Sequence, residues 1–271
     1  MKLVKKVFKA MISLSFMAAL VLSLSACGSS SAKEQSSLEK IKSKGTLVVG
    51  LMAATPPYEF HYSHNGKNEL KGADLELIKR LAKKMDVKYE IKEMDFDGLL
   101  PAMQSGKVDM IVNAMSPTPE RKKAADFSKI YYKSTNVFVV RKSELSKYKK
   151  ASALKNATVA VVNSSTQQQV MQKYFPKAKL KLFGKNTDLA MAVANNKVDA
   201  MLVDVPTAAM LIKASPSLVQ TNLKYNDDSA GAAIAMPKNS TSDLKKLVNS
   251  VVTENKSKYE DWVLQQVKYV K

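Results

Sequence analysis

Two segments of the chain repeat one pattern, LLPAMQSGKVDMIV at residues 99–112 and LAMAVANNKVDAMLV at residues 189–203. Each places apolar residues at helical spacing, then a polar turn, then an apolar run after Lys-Val-Asp, which predicts a helix, a tight turn and a buried strand. The two triplets end at Asp109 and Asp199, which lie 90 residues apart. One shared triplet can arise by chance, but the agreement of the flanking apolar positions favours two lobes of similar build.

Strands and helices alternate on either side of this repeat. TLVVG at 46–50 and ATVAVV at 157–162 are compact apolar runs that predict buried strands, and residues 73–85 carry apolar side chains at helical spacing. Further predicted elements are a strand at 89–91, a helix over 96–105 and a strand at 108–112. This alternation predicts an α/β fold with parallel sheets covered by helices.

The amino terminus has the build of an export signal. Residues 1–27 combine a basic start, an apolar stretch and a small-residue end at Cys27, the only cysteine of the chain. The sequence LSAC at 24–27 resembles the lipobox of bacterial lipoproteins, which implies lipid modification of Cys27; an uncleaved anchor helix is the alternative. The serine-rich stretch 28–37 predicts a flexible tether. We therefore expect an extracytoplasmic protein anchored to the outer face of the cell membrane.

The charge of the chain is strongly positive, with 43 Lys and Arg against 24 Asp and Glu and a formal net charge of +19 at pH 7. Four of these lysines belong to the export signal, so the mature protein carries +15. The remaining lysines are scattered, without the aromatic interleaving or the motifs of a nucleic-acid reader, so nucleic acid is not an expected partner. Retention near an anionic cell wall is the favoured role of the charge, and an adhesin with a basic face is a further alternative.

The residues that follow the repeated strands are candidates for a binding site, because ligands of open parallel sheets bind beyond the carboxyl ends of the strands. The first strand is followed by NAMSPTPER at 113–121, which offers hydroxyls, free amides and the guanidinium of Arg121. The second strand is followed by Asp204. A guanidinium that faces a carboxylate across a cleft fits a ligand with both an anion and a cation, such as an α-amino acid.

An ordered set of motifs carries a family resemblance. The chain is similar to the extracytoplasmic substrate-binding proteins of ABC importers for polar amino acids, through GTLVVG (45–50), PPYEF (56–60), GADLEL (72–77), SPTPERKKAADFS (116–128) and VDAMLVD (198–204). The resemblance implies a periplasmic-binding-protein-like type II fold, in which two Rossmann-like lobes are joined by a two-strand hinge with a ligand cleft between them. The implied organisation is a signal at 1–27, a tether at 28–37, a first lobe from 38–134 and 235–271, and a second lobe from 135–234.

The resemblance also implies roles for the residues that match the family motifs. Arg121 would hold the α-carboxylate of the ligand with two parallel N–H bonds, and Asp204 and the Ala114 carbonyl would receive the α-ammonium. The other implied ligand contacts are Ser116 and Thr118 through hydroxyl and amide donors, Ser165 and Thr166 through a turn at a helix start, and Tyr58 and Phe96 beside the ligand side chain. Ser164 stands where the family often has glycine.

Each of these residues also has an ordinary structural interpretation. Arg121 is followed by two lysines, as a surface arginine would be, and Asp204 precedes Pro206, as a helix cap would. The remaining structural interpretations are Ser116 as a turn cap, Thr166 as a helix cap, Tyr58 and Phe96 as core residues, Asp74 and Glu76 as carboxylates of a helix start, and His61 and His64 as loop residues.

The side-chain preference of the ligand is the least determined part of the prediction. Family members that select cationic or amide side chains often have an acidic residue two positions after the glycine that ends the first strand, and here that position is Met52. Glu59 is the other candidate. We therefore favour a neutral polar ligand such as glutamine over arginine or lysine.

The implied function is capture of a free L-amino acid by hinged closure and its delivery to an ABC permease in the membrane, by a monomer without cofactor or metal. The chain has no phosphate-binding G-x-x-x-x-G-K-[ST] loop and no evident catalytic constellation. An enzyme on the same fold, such as a small-carboxylate dehydratase, is the alternative.

Overall fold

The structure, a computed structural model, describes residues 35–269. The predicted export signal with Cys27 and most of the predicted tether lie outside the described residues. The end of that tether differs from the prediction, because Ser36 caps helix α1 (Ser37–Lys44) in a reciprocal capping box with Glu39. Ser36 and Ser37 therefore belong to the folded body.

The remaining helices and strands alternate along the chain. The helices are α2 (Ala73–Met85), α3 (Leu99–Gln104), α4 (Pro119–Ala124), α5 (Thr166–Tyr174), α6 (Asn186–Ala194), α7 (Val205–Ala214) and α8 (Ser242–Gln265), with short 3₁₀ turns at Phe96–Gly98, Lys142–Glu144, Ala151–Leu154 and Gln266–Tyr269. The strands are β1 (Thr46–Leu51), β2 (Ala54–Thr55), β3 (Glu59–His64), β4 (Lys67–Lys71), β5 (Lys88–Glu93), β6 (Met110–Ile111), β7 (Ala125–Phe127), β8 (Asn136–Arg141), β9 (Thr158–Val162), β10 (Lys179–Phe183), β11 (Ala200–Asp204), β12 (Leu218–Tyr225) and β13 (Ala235–Pro237).

Two five-stranded sheets form the framework. The order β5-β1-β6-β13-β7 defines the sheet of what we call the first lobe, and the order β10-β9-β11-β8-β12 defines that of the second lobe. A smaller antiparallel sheet, β2-β3-β4, packs on the first lobe through Tyr58 and Leu70. Helices α2 and α8 cover one face of the first sheet, and their apolar side chains join one buried cluster with β1.

The sheets are mixed rather than parallel, which corrects the prediction. Strands β5, β1 and β6 are parallel, as are β10, β9 and β11, but β13 and β8 run antiparallel to their neighbours β6 and β11. The reversed strands are the ones that the chain enters after crossing from the other lobe. A strand that arrives by such a crossing does not follow the β-α-β connection that makes neighbours parallel.

The repeated Lys-Val-Asp triplets have the same role in both lobes. Asp109 accepts a hydrogen bond from the Val48 amide through its carboxylate and donates its own amide to the Val48 carbonyl. Asp199 makes the same pair of bonds with Thr158. Each aspartate thus joins the start of a central strand to the turn before the next strand, so the repeat in the sequence corresponds to a repeat in the fold.

The chain crosses between the lobes twice. The first crossing lies between β7 and β8 and the second between β12 and β13, and the two pair antiparallel where Tyr132 faces Ala232. The predicted two-strand hinge is therefore present. These crossings are short, so the lobes are close neighbours with a cleft between them.

Two histidines differ from the prediction. His61 and His64 lie in strand β3 rather than in a loop, and the His61 ring is 2.8 Å from the Glu93 carboxylate. Within residues 35–269 no group of three or more His, Cys, Asp or Glu side chains is arranged to hold a metal ion. In the same part of the chain, no helix combines the length and the apolar character needed to cross a membrane.

The start of α2 is held against the backbone of Tyr58. The amide of Asp74 donates to the Tyr58 carbonyl at 3.0 Å, and the preceding residue, Gly72, has φ +141°. A β-carbon at Gly72 would lie 1.8 Å from that carbonyl oxygen. Only glycine allows this approach of the two backbone segments.

We expect Gly72→Ala to lower the free energy of unfolding by roughly 3 kcal/mol or more, because backbone atoms must move to accept the methyl group. Gly106→Ala is the matched control, since Gly106 has φ +73° but open space around it. The control should cost only about 1–2 kcal/mol, the penalty of a left-handed alanine. Urea unfolding measures both, and equal losses would contradict the proposed clash.

Candidate functional site

A cavity of about 100 Å³ lies in the cleft between the lobes. Its walls include residues that follow four parallel strands: Met52 after β1, Asn113 after β6, Ser165 after β9, and Asp204 at the end of β11. The site therefore lies beyond the carboxyl ends of the strands, where the sequence placed it. The predicted site residues that line it are Arg121, Asp204, Ser116, Ala114, Thr166, Ser165, Tyr58 and Phe96.

Thr118 is the predicted site residue that the structure does not place in this cavity. Its hydroxyl accepts a hydrogen bond from the Arg121 amide and caps α4, and its own amide donates to the Ser116 carbonyl. Both groups that the resemblance assigned to the ligand are thus used within the turn. Thr118 instead lines a neighbouring groove and supports the helix that carries Arg121.

Arg121 is buried, with 8% of its surface exposed, which rules out a solvated surface arginine. Its guanidinium donates to the carbonyls of Ser116 and Ser164, each at 2.8 Å, and lies 5.1 Å from the centre of the Phe96 ring. Burial lowers its pKa to about 10, and the negative charge of Asp227 partly opposes that shift. Since no carboxylate of residues 35–269 is close enough to form an ion pair with it, a bound anion would offset the cost of burying this cation.

Asp204 is both a helix cap and a wall of the cavity. Its carboxylate accepts from the amide and hydroxyl of Thr207 at the start of α7, and from the Tyr58 hydroxyl of the first lobe at 2.9 Å. Burial is the main cause that raises its pKa. The cap and ligand-site interpretations are therefore compatible, and a bound cation would favour the charged form.

The turn before α5 has a backbone conformation that glycine adopts more easily than serine. Ser164 adopts the left-handed conformation with φ +60°, which costs energy for any residue with a β-carbon. Its amide is held by the Gln168 side chain at 2.8 Å, and Ser165 caps the helix by accepting from the Gln168 amide. The helix start, with Thr166 as its first residue, thus faces the cavity with unpaired N–H groups that suit an anion.

The two residues considered for side-chain selection differ in position. Met52 is buried and lines the cavity, whereas Glu59 is fully buried within the first lobe and is not part of the cavity wall. Burial, followed by the charge of Asp74, raises the pKa of Glu59 well above its usual value. Glu59 is therefore not available as a partner for a cationic ligand side chain.

Several wall residues were not identified from the sequence. Four carry amide side chains, namely Asn113, Asn136, Gln167 and Asn186, and others come from the crossing segments, including Tyr132, Ser134, Asp227 and Ser229. The crossings carry no motif of their own. The one available signal was their position at the predicted hinge, which must border the cleft.

The second crossing also contacts the first lobe. The Ser229 hydroxyl donates to the Asp227 carboxylate, which also accepts from the Ser229 amide, and lies at hydrogen-bond distance, 3.1 Å, from the Ser116 hydroxyl. At the rim, Asn163 of the second lobe donates to Asp97 of the first at 2.7 Å. Together with the Tyr58–Asp204 and Arg121–Ser164 bonds, these contacts hold the lobes in a closed arrangement.

The cavity wall carries charges of both signs. Its ionisable Arg, Lys, Asp and Glu residues are Arg121, Lys133, Asp204 and Asp227. Lys133 is exposed to solvent, so it does not neutralise a charge inside the cavity. A zwitterion can pair with wall charges of both signs.

Known proteins are similar to this chain over most of its length. The family described as "Bacterial extracellular solute-binding proteins, family 3" matches residues 47–263. The arginine-binding extracellular protein ArtP of Bacillus subtilis is 33% identical over 228 residues, 82% of this chain and 84% of that protein. The probable histidine-binding protein of Campylobacter jejuni is 34% identical over 215 residues, 78% of this chain and 80% of that protein.

A solved structure has the same architecture. The amino acid ABC transporter substrate-binding protein AbpA from Streptococcus pneumoniae, bound to L-arginine, is 31% identical to this chain with a TM-score of 0.82. The match covers 86% of this chain and 99% of that one. It confirms the predicted type II fold of two α/β lobes.

We expect Asp204→Asn to stabilise the ligand-free protein at pH 7, because asparagine retains the helix cap but removes a buried charge. Burial raises the pKa of Asp204 in the folded protein above its value in the unfolded chain, which is near 4. The stabilising effect of this shift is fully present below the unfolded-state pKa and is lost as the pH rises through the folded-state pKa, where Asp204 becomes a buried charge. The advantage of the variant should therefore shrink toward pH 4. Urea unfolding between pH 4 and 8 measures it, and a variant less stable than wild type at pH 7 would contradict the argument.

Proposed function

The chain belongs to family 3 of the bacterial extracellular solute-binding proteins, and from that premise we propose that it binds a free L-amino acid by hinged closure and delivers it to an ABC importer. One observation carries the proposal: a buried guanidinium and a buried carboxylate line the same small cavity, and neither forms an ion pair with any group of residues 35–269. An α-amino acid supplies both missing charges on neighbouring atoms.

Arg121 is the proposed partner of the α-carboxylate. Two of its nitrogens already donate to carbonyls of the two lobes, so the guanidinium is fixed in orientation before the ligand binds. The planar guanidinium offers further N–H donors for a carboxylate. We propose that Ser116 and the helix-start turn at Ser165 and Thr166 add donors to the same carboxylate.

Asp204 and the Ala114 carbonyl are the proposed acceptors of the α-ammonium. They come from opposite lobes, so the ammonium is enclosed only when the lobes approach. Tyr58, which donates to Asp204, and Phe96, which faces Arg121, are the proposed aromatic walls beside the ligand. Closure removes water from both ion pairs and thereby strengthens them.

The hinge provides the motion. The two crossing segments, at 128–135 and 226–234, are the covalent links between the lobes, and the contacts described above across the cleft are hydrogen bonds. Bending at the crossings would open the cleft without disturbing either sheet. We propose that the ligand shifts this equilibrium toward the closed form, which is the form that a permease recognises.

The ligand side chain is proposed to be neutral and polar, as in glutamine. Met52 offers no charge, Glu59 faces away, and the amides of Asn113, Asn136, Gln167 and Asn186 can both donate and accept. The relatives named for arginine and histidine show that family membership does not determine this preference.

The position in the cell follows from the family and from the amino terminus. The family is extracytoplasmic, and we propose that lipid on Cys27 anchors the protein to the outer face of the membrane, with the serine-rich stretch after it as a tether. The permease subunits are the proposed membrane partners of a monomeric binder. The dehydratase alternative finds no support among the comparisons.

The ligand can be identified directly. Mass spectrometry of molecules released when the purified protein unfolds should detect a free amino acid, and calorimetric titration of the refolded protein should give glutamine an affinity at least about tenfold above that of arginine, since the arginine side chain adds an unpaired buried charge. Arginine binding more tightly would contradict the neutral side chain. No binding of any amino acid would contradict the proposed function itself.

Removal of the guanidinium should abolish most binding. We expect Arg121→Ala to weaken amino acid binding by roughly 2–5 kcal/mol, the cost of leaving the ligand carboxylate buried and unpaired. Arg121→Lys should lose a large part of this affinity despite its charge, because lysine cannot form the two parallel bonds.

Arg80→Ala is the matched control for these variants. Arg80 lies over the Trp262 ring on the outside of the first lobe, pairs with Glu76 and does not line the cavity. Its removal should leave the affinity measured by calorimetry unchanged. Near-native binding by Arg121→Ala would refute the assigned role.

A further inference from the structure

Two carboxyl groups are buried together in the core of the first lobe, beside the cavity but outside its wall. Glu59 and Asp74 are both 0% exposed, and neither is among the residues that line the cavity. From the sequence, we interpreted Asp74 as a carboxylate whose charge stabilises the start of a helix. A helix start on the surface would serve that purpose, so complete burial of the charge needs another explanation.

Asp74 joins three separate parts of the lobe through its carboxylate. One oxygen accepts from the Ala114 amide at 2.8 Å and from the Tyr131 hydroxyl at 3.2 Å, and the other accepts from the Tyr259 hydroxyl of α8. The Tyr131 hydroxyl also accepts from the Ala114 amide, at 3.0 Å. Asp74 and Tyr131 therefore both accept the Ala114 amide hydrogen on the side of this residue that faces the core.

Ala114 is an unusual residue to find at this position. It has φ +45°, in the left-handed region that residues with a β-carbon seldom adopt, and it lines the cavity directly after strand β6. No donor of the described residues bonds to its carbonyl, which is free for a ligand. A left-handed alanine persists only where its surroundings impose the conformation, and the hydrogen bond from its amide to the Asp74 carboxyl group is one such restraint.

We propose that Asp74 is a positioning residue of the binding site, which acts on the ligand ammonium through the Ala114 peptide and never touches the ligand. This inference rests on the proposed function. Asp74 fixes the Ala114 amide in the core, the amide fixes the left-handed turn, and the turn directs the Ala114 carbonyl into the cavity opposite Asp204. The carbonyl is then oriented before the ligand arrives.

Glu59 lies beside Asp74 and is the less well hydrogen-bonded carboxyl group of the pair. The groups around the pair are the Tyr58, Tyr131 and Tyr259 hydroxyls, the Thr55 hydroxyl and, farther off, Asp204; among residues 35–269 no Lys, Arg or His forms an ion pair with either carboxyl. Both oxygens of Glu59 lack a hydrogen-bond donor, whereas Asp74 accepts three hydrogen bonds that favour its charged form. Burial raises the pKa of both carboxyl groups, that of Glu59 well above its usual value, and the three hydrogen bonds that Asp74 accepts oppose the rise of its own pKa.

The first test compares two aspartates with the same chemistry. Asp199 also accepts a backbone N–H through its carboxylate, at 2.8 Å from Thr158, but it lies away from the cavity. Calorimetric titration with the released amino acid should show that Asp74→Asn weakens binding by roughly tenfold or more, and that Asp199→Asn leaves the affinity within about twofold of wild type. Equal affinities for Asp74→Asn and wild type would overturn the proposal.

The second test separates positioning from a merely structural role and does not require the variant to fold. In the wild-type protein, the Ala114 amide proton should resonate far downfield in NMR spectra and exchange slowly with solvent, because a carboxylate accepts it. An Ala114 proton at an ordinary chemical shift with rapid exchange would overturn the proposal. Where Asp74→Asn folds, this resonance should move upfield, whereas Asp199→Asn should leave it in place.

The wild-type titration distinguishes a failure of the proposed function from a failure of the positioning role of Asp74. If the wild-type protein binds no amino acid, the proposed function fails, although the Ala114 signal is still observable. If the wild-type protein binds and Asp74→Asn binds equally well, the positioning role alone fails.

Discussion

The guanidinium of Arg121 is the constraint on which the cleft depends. It is a buried cation that donates to the Ser116 carbonyl of the first lobe and to the Ser164 carbonyl of the second, so it joins the lobes where they face each other. These neutral acceptors stabilise the guanidinium only in part, as its lowered pKa indicates. A carboxylate in the cavity supplies the missing charge, and the same interaction that recognises the ligand therefore favours the closed arrangement.

The rest of the site follows a common rule, in which charged groups are buried for function at a cost in stability. Burial is the main cause that raises the pKa of Asp204, and within residues 35–269 no Lys, Arg or His forms an ion pair with Asp74 or Glu59. Ala114 and Ser164 adopt left-handed backbone conformations at the cavity. Strained and partly unpaired groups of this kind cluster where a ligand is to be held, since the ligand offsets their cost.

The sequence predicted a large part of this arrangement for reasons that can be stated locally. Helix α2 begins and ends at the predicted residues because its apolar spacing is regular, and the Lys-Val-Asp triplets mark equivalent turns in both lobes. Thr118 shows the limit of motif matching. It lies inside the most specific motif, yet its hydroxyl and amide are used within the turn that supports Arg121.

The sequence by itself determined the family, the two α/β lobes and eight of the residues that line the cleft, because strand periodicity and motif order are properties of short segments. Only the tertiary structure decided that Glu59 faces the core, that β8 and β13 run against their neighbours, and that the crossing segments supply Asp227 and Ser229 to the wall. These features depend on contacts between different segments of the chain, such as Ala235 with Ile111 and Ser229 with Ser116. These contacts set the direction of side chains and the pairing of distant charges, and no local sequence pattern encodes them.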